Sequence, residues 1–172
     1  MPISRMECSL DGSWRLVLDP DDTGKKRKWF LGADLPDGMA VEVPSVWDRW
    51  VPDYDGVGWY LREFEVDSSW TGRHAELRFD AADYYAEVWL NGTRLGDHEG
   101  GYTPCALDVT RFLQNGENEI CVRVEDAPDC TQPRGKQYWK EGWMGCWYTP
   151  TSGIWQTVYL EAVGDNYMLR AH

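Results

Sequence analysis

The residues best able to do chemistry in this chain gather in residues 125–145, where Asp126, Asp129, Arg134, Lys136, Gln137, Trp139, Glu141 and Trp143 follow one another without strand periodicity. Carboxylates, a guanidinium, an ammonium and an amide are the donors and acceptors that bind pairs of hydroxyls. Indole rings cover the C–H face of a pyranose, so the mixture suits a sugar. An unpatterned connection of about twenty residues inside a compact domain is more often functional than filler. The competing reading is a solvated loop whose rings pack on the domain beneath it. Hydrolysis of a glycosidic bond would need two carboxylates roughly 5 to 9 Å apart. With 29 acidic residues in the chain some such pair always exists, so counting pairs identifies no catalytic residue.

The elements that must position this connection read as strands. Residues 59–66 form an aromatic-rich strand, and Leu77 with Phe79 a short alternating one. Ala86, Val88 and Leu90 share one face while Glu87 and Trp89 share the other; Ile120, Val122 and Val124 alternate with Cys121 and Arg123. Asn91-Gly92 tolerates the positive φ angles of a tight hairpin turn, and residues 154–160 resume a run of β-branched and aromatic residues. Residues 110–114 suit one helical turn before Asn115-Gly116. Many short strands separated by Gly, Pro, Asn and Asp clusters predict an all-β fold, an antiparallel sandwich or barrel. At 172 residues the chain is expected to be a single domain, with a packed core over about residues 10–160.

Five segments carry a resemblance. Leu10-Asp-Gly-Ser-Trp14, Val43-Pro-Ser-Val-Trp47, Gly58-Trp-Tyr60, Val88-Trp-Leu-Asn-Gly92 running on to Gly100-Gly-Tyr-Thr-Pro104, and Trp147-Tyr-Thr-Pro-Thr-Ser-Gly-Ile-Trp-Gln-Thr-Val158 together resemble the N-terminal sugar-binding domain of glycoside hydrolase family 2. That family comprises β-galactosidases, β-glucuronidases and β-mannosidases. The resemblance implies a jelly-roll β-sandwich, galactose-binding-domain-like, standing in front of an immunoglobulin-like domain and a catalytic (β/α)8 barrel; neither later domain is expected in these residues. It also implies that the connection reaches over the barrel and lends a carboxylate to the subsite of the non-reducing sugar, with Asp126, Asp129 and Glu141 all open as that acid. The family's acid/base glutamate follows an asparagine on a barrel strand, a dipeptide that Asn118-Glu119 matches. Its setting, Asn115-Gly-Glu-Asn-Glu-Ile120, is instead a turn leading into a strand, which makes Glu119 structural.

The remaining features exclude more than they assign. A net charge of −12 argues against nucleic acid, whose binding is driven by clustered Lys and Arg. The one basic run, Lys25-Lys-Arg-Lys28, is expected to be a solvated loop, and the sequon Asn91-Gly-Thr93 to be turn chemistry. No apolar run is long enough to span a bilayer and no signal segment follows Met1, so a soluble, cytoplasmic chain without membrane contact is expected. The five cysteines lack C-x-x-C spacing and have His74, His98 and His172 as the available histidines, so neither metal nor cofactor is expected. Trp14, Trp59, Trp89 and Trp155 lie on strand-like segments and are expected in the core. Trp47, Trp50 and Tyr54, in a loop with Pro44 and Pro52, are expected at an exposed surface.

The function implied is that of a non-catalytic carbohydrate-binding domain, inactive alone, which supports a β-glycosidase barrel, completes its substrate pocket and joins any oligomer through that parent. The rivals are a free-standing carbohydrate-binding module and a purely structural interface domain.

Overall fold

The alternation of apolar and polar residues has its consequence in two stacked antiparallel sheets. A computed structural model of the chain describes residues 5–32, 35–140 and 145–164. Among these the strands are β1 (Met6–Ser9), β2 (Gly12–Leu18), β3 (Met39–Val43), β4 (Gly56–Val66), β5 (His74–Phe79), β6 (Tyr85–Leu90), β7 (Thr93–Glu99), β8 (Cys105–Asp108), β9 (Gly116–Asp126) and β10 (Val158–Val163), with one α-helical turn, α1 (Gly24–Arg27), and three 3-10 turns at Trp29–Leu31, Trp47–Arg49 and Ser68–Trp70. One sheet has the order β1-β10-β5-β8 and the other β3-β2-β4-β9-β6-β7. This is the all-β jelly-roll sandwich expected. Between the sheets lie Ala86, Val88 and Leu90 of β6 and Ile120, Val122 and Val124 of β9, facing Leu77, Phe79, Val158 and Leu160 of the smaller sheet. Each of the larger side chains contributes about 1.5–3 kcal/mol by leaving water, and Ala86 about 1 kcal/mol or less.

The hairpin at Asn91-Gly92 has φ angles of 51° and 76°. The Asn91 side chain donates to Phe112 O at 3.0 Å and Asn118 Oδ1 at 2.9 Å and accepts from Glu119 N at 2.9 Å. Its amide thus ties the turn to the neighbouring strand, as the turn reading of the sequon requires. Residues 110–114 likewise form one turn, closed by Leu113 N to Val109 O at 2.9 Å.

Three expectations are corrected. The basic run is a helical turn rather than a plain loop. Asp19, itself buried, accepts from Thr23 N and Gly24 N at 2.8 Å and from Trp59 Nε1 at 2.9 Å, which fixes α1 over the outer face of the larger sheet. There Trp59 stacks on Trp89 at 5.4 Å, Trp29 meets Trp59 edge-on at 5.9 Å and Phe30 stacks on Trp89 at 5.2 Å. Trp59 and Trp89 are therefore buried as expected, but in a second cluster outside the sandwich.

Trp47, expected at the surface, is fully buried. Its indole N–H donates to Tyr54 O at 2.9 Å, Trp50 Nε1 donates to Ser45 Oγ at 3.0 Å and Tyr54 OH to Val57 O at 2.7 Å. With each polar tip satisfied locally, these rings can pack against the core despite the flanking prolines. Finally, the strand expected from residue 154 begins at Val158, and Trp155 is half-buried outside any strand, its Nε1 donating to Gly101 O at 2.8 Å.

Candidate functional site

Strand β9 ends at Asp126, which is register partner to Gly56 at the start of β4 and points into the sandwich. Its carboxylate is wholly buried and takes the Arg134 guanidinium on Oδ1 and the Ser152 hydroxyl on Oδ2, the latter at 2.5 Å. Arg134 also donates to Ala127 O and to Gln132 Oε1. The connection is thereby folded back onto its own origin by one guanidinium. Such a buried pair is tolerable because most of its remaining groups find partners, the exception being the buried Arg134 Nε, which has none among the described residues.

Gln137 makes the second anchor. Its Oε1 accepts from Thr151 N at 2.5 Å, while its Nε2 donates to the Tyr102 hydroxyl and, at 3.5 Å, to Asp83 Oδ2. Tyr102 OH in turn donates to Arg134 O at 3.3 Å. The two limbs of the connection meet through Tyr138 N to Tyr148 O and Tyr148 N to Lys136 O, both 3.0 Å.

Asp83 is the junction of these parts. Its backbone exchanges two 3.0 Å hydrogen bonds with Gly153, and a Cβ on Gly101 would stand 2.3 Å from its carboxyl, so only glycine fits there. Oδ1 is buried with no hydrogen-bond partner among the described residues. Burial, seconded by the nearby Asp126 charge, pushes the Asp83 carboxyl up to about 7, against the pull of Gln137 and Arg134. Asp48, at the same end of the domain, is raised to about 6, first by burial and then by Asp55, Asp126 and Asp53, with a backbone hydrogen bond opposing.

The structure divides the residues singled out by sequence. Asp126, Arg134 and Gln137 are buried in the anchoring network. Lys136 is exposed and Asp129 half-buried, Asp129 accepting from Thr131 N at 2.8 Å, which holds its carboxyl below the usual range. Trp139 is half-buried, edge-on to Trp147 at 4.8 Å and tilted against Tyr138 at 5.5 Å. Glu141 and Trp143 lie outside the described residues. Tyr148 and Tyr102 add exposed rings, at 64% and 52% of their full exposure. Sequence reasoning missed Asp83, Tyr102 and Ser152, which come from other segments; the signals were Gly101 and Gly153, one beside Tyr102 and the other beside Ser152.

Away from this end, a depression of about 400 Å³ on the larger sheet is lined by Glu63, Phe64, Glu65, Asn91, Glu117, Asn118 and Glu119. Glu119 is a strand residue of β9 directly opposite Glu63, and burial followed by that like charge raises its carboxyl. No group of three or more His, Cys, Asp or Glu among the described residues could hold a metal ion. No helix among them is long and apolar enough to cross a membrane.

Comparison with known proteins places this arrangement. The family model described as glycosyl hydrolases family 2, sugar binding domain, matches residues 8–161. A β-glucuronidase of Paenibacillus borealis is 34% identical over 124 residues, 69% of this chain and 21% of that protein. A β-galactosidase of Priestia megaterium is 27% identical over 178 residues, 88% of this chain and 16% of that protein. The crystal structure of Ruminococcus gnavus β-glucuronidase superposes with a TM-score of 0.80 at 27% identity, covering 96% of this chain and 31% of that one. The chain thus spans only a fraction of the length of each of these proteins. It belongs to glycosyl hydrolase family 2, as a sugar-binding domain.

Proposed function

We propose that this domain is the non-catalytic part of a family 2 β-glycoside hydrolase that supports the catalytic barrel and completes its substrate pocket with residues 127–150. The observation that carries this reading is the division of labour in the connection. Asp126 holds Arg134 and Ser152 beneath it, and Gln137 holds Tyr102 and Thr151, which leaves the exposed Lys136 and Tyr148 and the half-buried Asp129 and Trp139 to meet a sugar and the barrel. Glu141 and Trp143 stay among the candidate contacts.

The test is kinetic and uses the full-length parent enzyme. Asp129→Ala, Lys136→Ala and Trp139→Phe should lower kcat/KM, the residue that reaches the sugar costing roughly 2 kcal/mol of transition-state binding, with melting temperature unchanged. Near wild-type activity in all three, and in Glu141→Ala and Trp143→Phe, would overturn the reading. Calorimetry on the 172-residue chain should find simple glycans bound with a dissociation constant of about a millimolar or weaker, since half a pocket leaves most of a small ligand in water. Micromolar binding would favour a free-standing binding module.

A further inference from the structure

Residues 127–140 form a limb whose attachment to the sandwich is made almost wholly by side chains. Gln137 reaches Asp83, Tyr102 and Thr151, Arg134 reaches Asp126, and Tyr102 reaches the carbonyl of Arg134. Its backbone hydrogen bonds run within the connection itself, from Gln137 N to Arg134 O, Tyr138 N to Tyr148 O and Tyr148 N to Lys136 O. Beneath it, Asp83 cannot move. Its N–H and carbonyl are both paired with Gly153, the next amide, of Tyr84, donates to Glu125 O at 3.3 Å, and Gly101 closes against its carboxyl. One carboxyl oxygen has the amide of Gln137 at 3.5 Å and the other has no partner.

Asp83 has no cation bonded to it, and the nearby Arg134 charge acts on it only at a distance. Arg134 spends the bonds of its Nη2 on Asp126, Ala127 O and Gln132, none on Asp83. Asp126 at the end of β9 faces it as a like charge. Tyr84 beside it is bonded to Glu99, the Tyr102 hydroxyl is held by Gln137 and donates to Arg134 O, and the hydroxyl of Tyr60 on β4 lies beneath Gly153. A carboxylate buried here would keep one weak donor and a bare oxygen, whereas the neutral acid has no charge to solvate.

We propose that Asp83 is a positioning residue for this limb: while it carries its proton it holds residues 127–140 against the end of the sandwich, and when it loses the proton to solvent it releases them. The inference rests on placement and is independent of whether the limb touches sugar. Water must reach the newly formed carboxylate, and since the backbone of Asp83 is pinned, the limb is the part that lifts. Burial dominates the Gln137 and Arg134 contacts that favour the ionised form, and the carboxyl stands at about 7, so the transition falls near neutral pH. Linkage through one proton lets the released population grow by up to about tenfold per pH unit between the ordinary carboxyl value of 3.8 and about 7, and level off above it.

Two measurements on the 172-residue chain test this. The side-chain carboxyl carbon of Asp83, followed by NMR, should titrate near neutrality, and the Tyr138 amide should exchange about fivefold or more faster at about pH 8.5 than at about pH 6 after correction for intrinsic chemistry, while amides of β9 do not change. Asp83→Asn, neutral at every pH, should abolish the acceleration and keep Tyr138 protected. The proposal is overturned if Asp83 titrates as an ordinary carboxyl, if Tyr138 protection is independent of pH in the wild type, or if Asp83→Asn retains the acceleration. The two wild-type readings decide the matter even if that variant does not fold.

Discussion

Asp126 and Arg134 stand eight positions apart, and their side chains are 0% and 4% exposed and bonded directly to one another. The pair closes the connection over the end of β9, so removing one member leaves the other buried without its counter-charge. Arg134→Ala is therefore expected to destabilise the domain by about 3–5 kcal/mol, a drop in melting temperature of roughly 10 °C for a domain of this size. Denaturant unfolding of the isolated chain checks it; a loss below about 1 kcal/mol would mean that water already reaches Asp126.

Two glycines serve as spacers for the same knot. A Cβ on Gly153, at φ 89°, would lie 2.2 Å from the Tyr60 hydroxyl, and one on Gly101 2.3 Å from the Asp83 carboxyl. Gly153→Ala and Gly101→Ala should each cost about 3 kcal/mol or more, because both neighbours are buried and cannot step aside. Gly72, at φ 78° with nothing within 4 Å, is the control. Gly72→Ala should cost only about 1 kcal/mol, and equal melting temperatures for the three variants would refute the packing argument.

Stability should depend on pH in a particular direction. Asp83 and Asp48 have folded-state values raised from 3.8 to about 7 and about 6. An acid raised on folding binds its proton more tightly in the native state, so its contribution is fully present below 3.8 and is lost as pH rises through 6 and 7. The melting temperature should accordingly fall between about pH 5 and pH 8, and Asp83→Asn should flatten part of that fall. A curve that rises over this interval would contradict the assignment.

On the outer face of the larger sheet, Glu63 is directly opposite Glu119, and Glu65 directly opposite Glu117. Like charges in register repel, so Glu65→Lys should stabilise the domain by about 0.5 kcal/mol at low ionic strength. The gain should shrink in about 1 M salt, where charges are screened within roughly 3 Å. Thermal unfolding at the two salt concentrations separates this effect from any change in strand propensity.

Much of the sandwich was legible along the chain because a strand's facing is a local property. Side chains alternate at every residue, so Ala86, Val88 and Leu90 could be assigned to one face and Glu87 and Trp89 to the other without knowledge of the partner strand. Asn91-Gly92 carried its own turn geometry, and the order of the glycine- and tryptophan-rich segments was enough to mark the family. The composition of residues 125–145 likewise singled out the segment proposed as the site.

What only the tertiary structure decided was which side chains are buried, since burial depends on segments distant in sequence. The outer face bearing Trp59 and Trp89 is dry because α1 and the turn after it fold across it, held by Asp19; nothing in the strand pattern announces that cover. Trp47 sits in a proline-flanked loop yet is buried, because Gly58 and Gly153 leave room for its ring. Asp126 reads as one acid among several in a polar loop, and becomes the base of the site because Arg134 and Ser152 reach it from either side of the connection. Asp83 was silent in the sequence for the same physical reason: its partners, Gly101, Asp126, Gln137 and Gly153, are brought together only when the two sheets close.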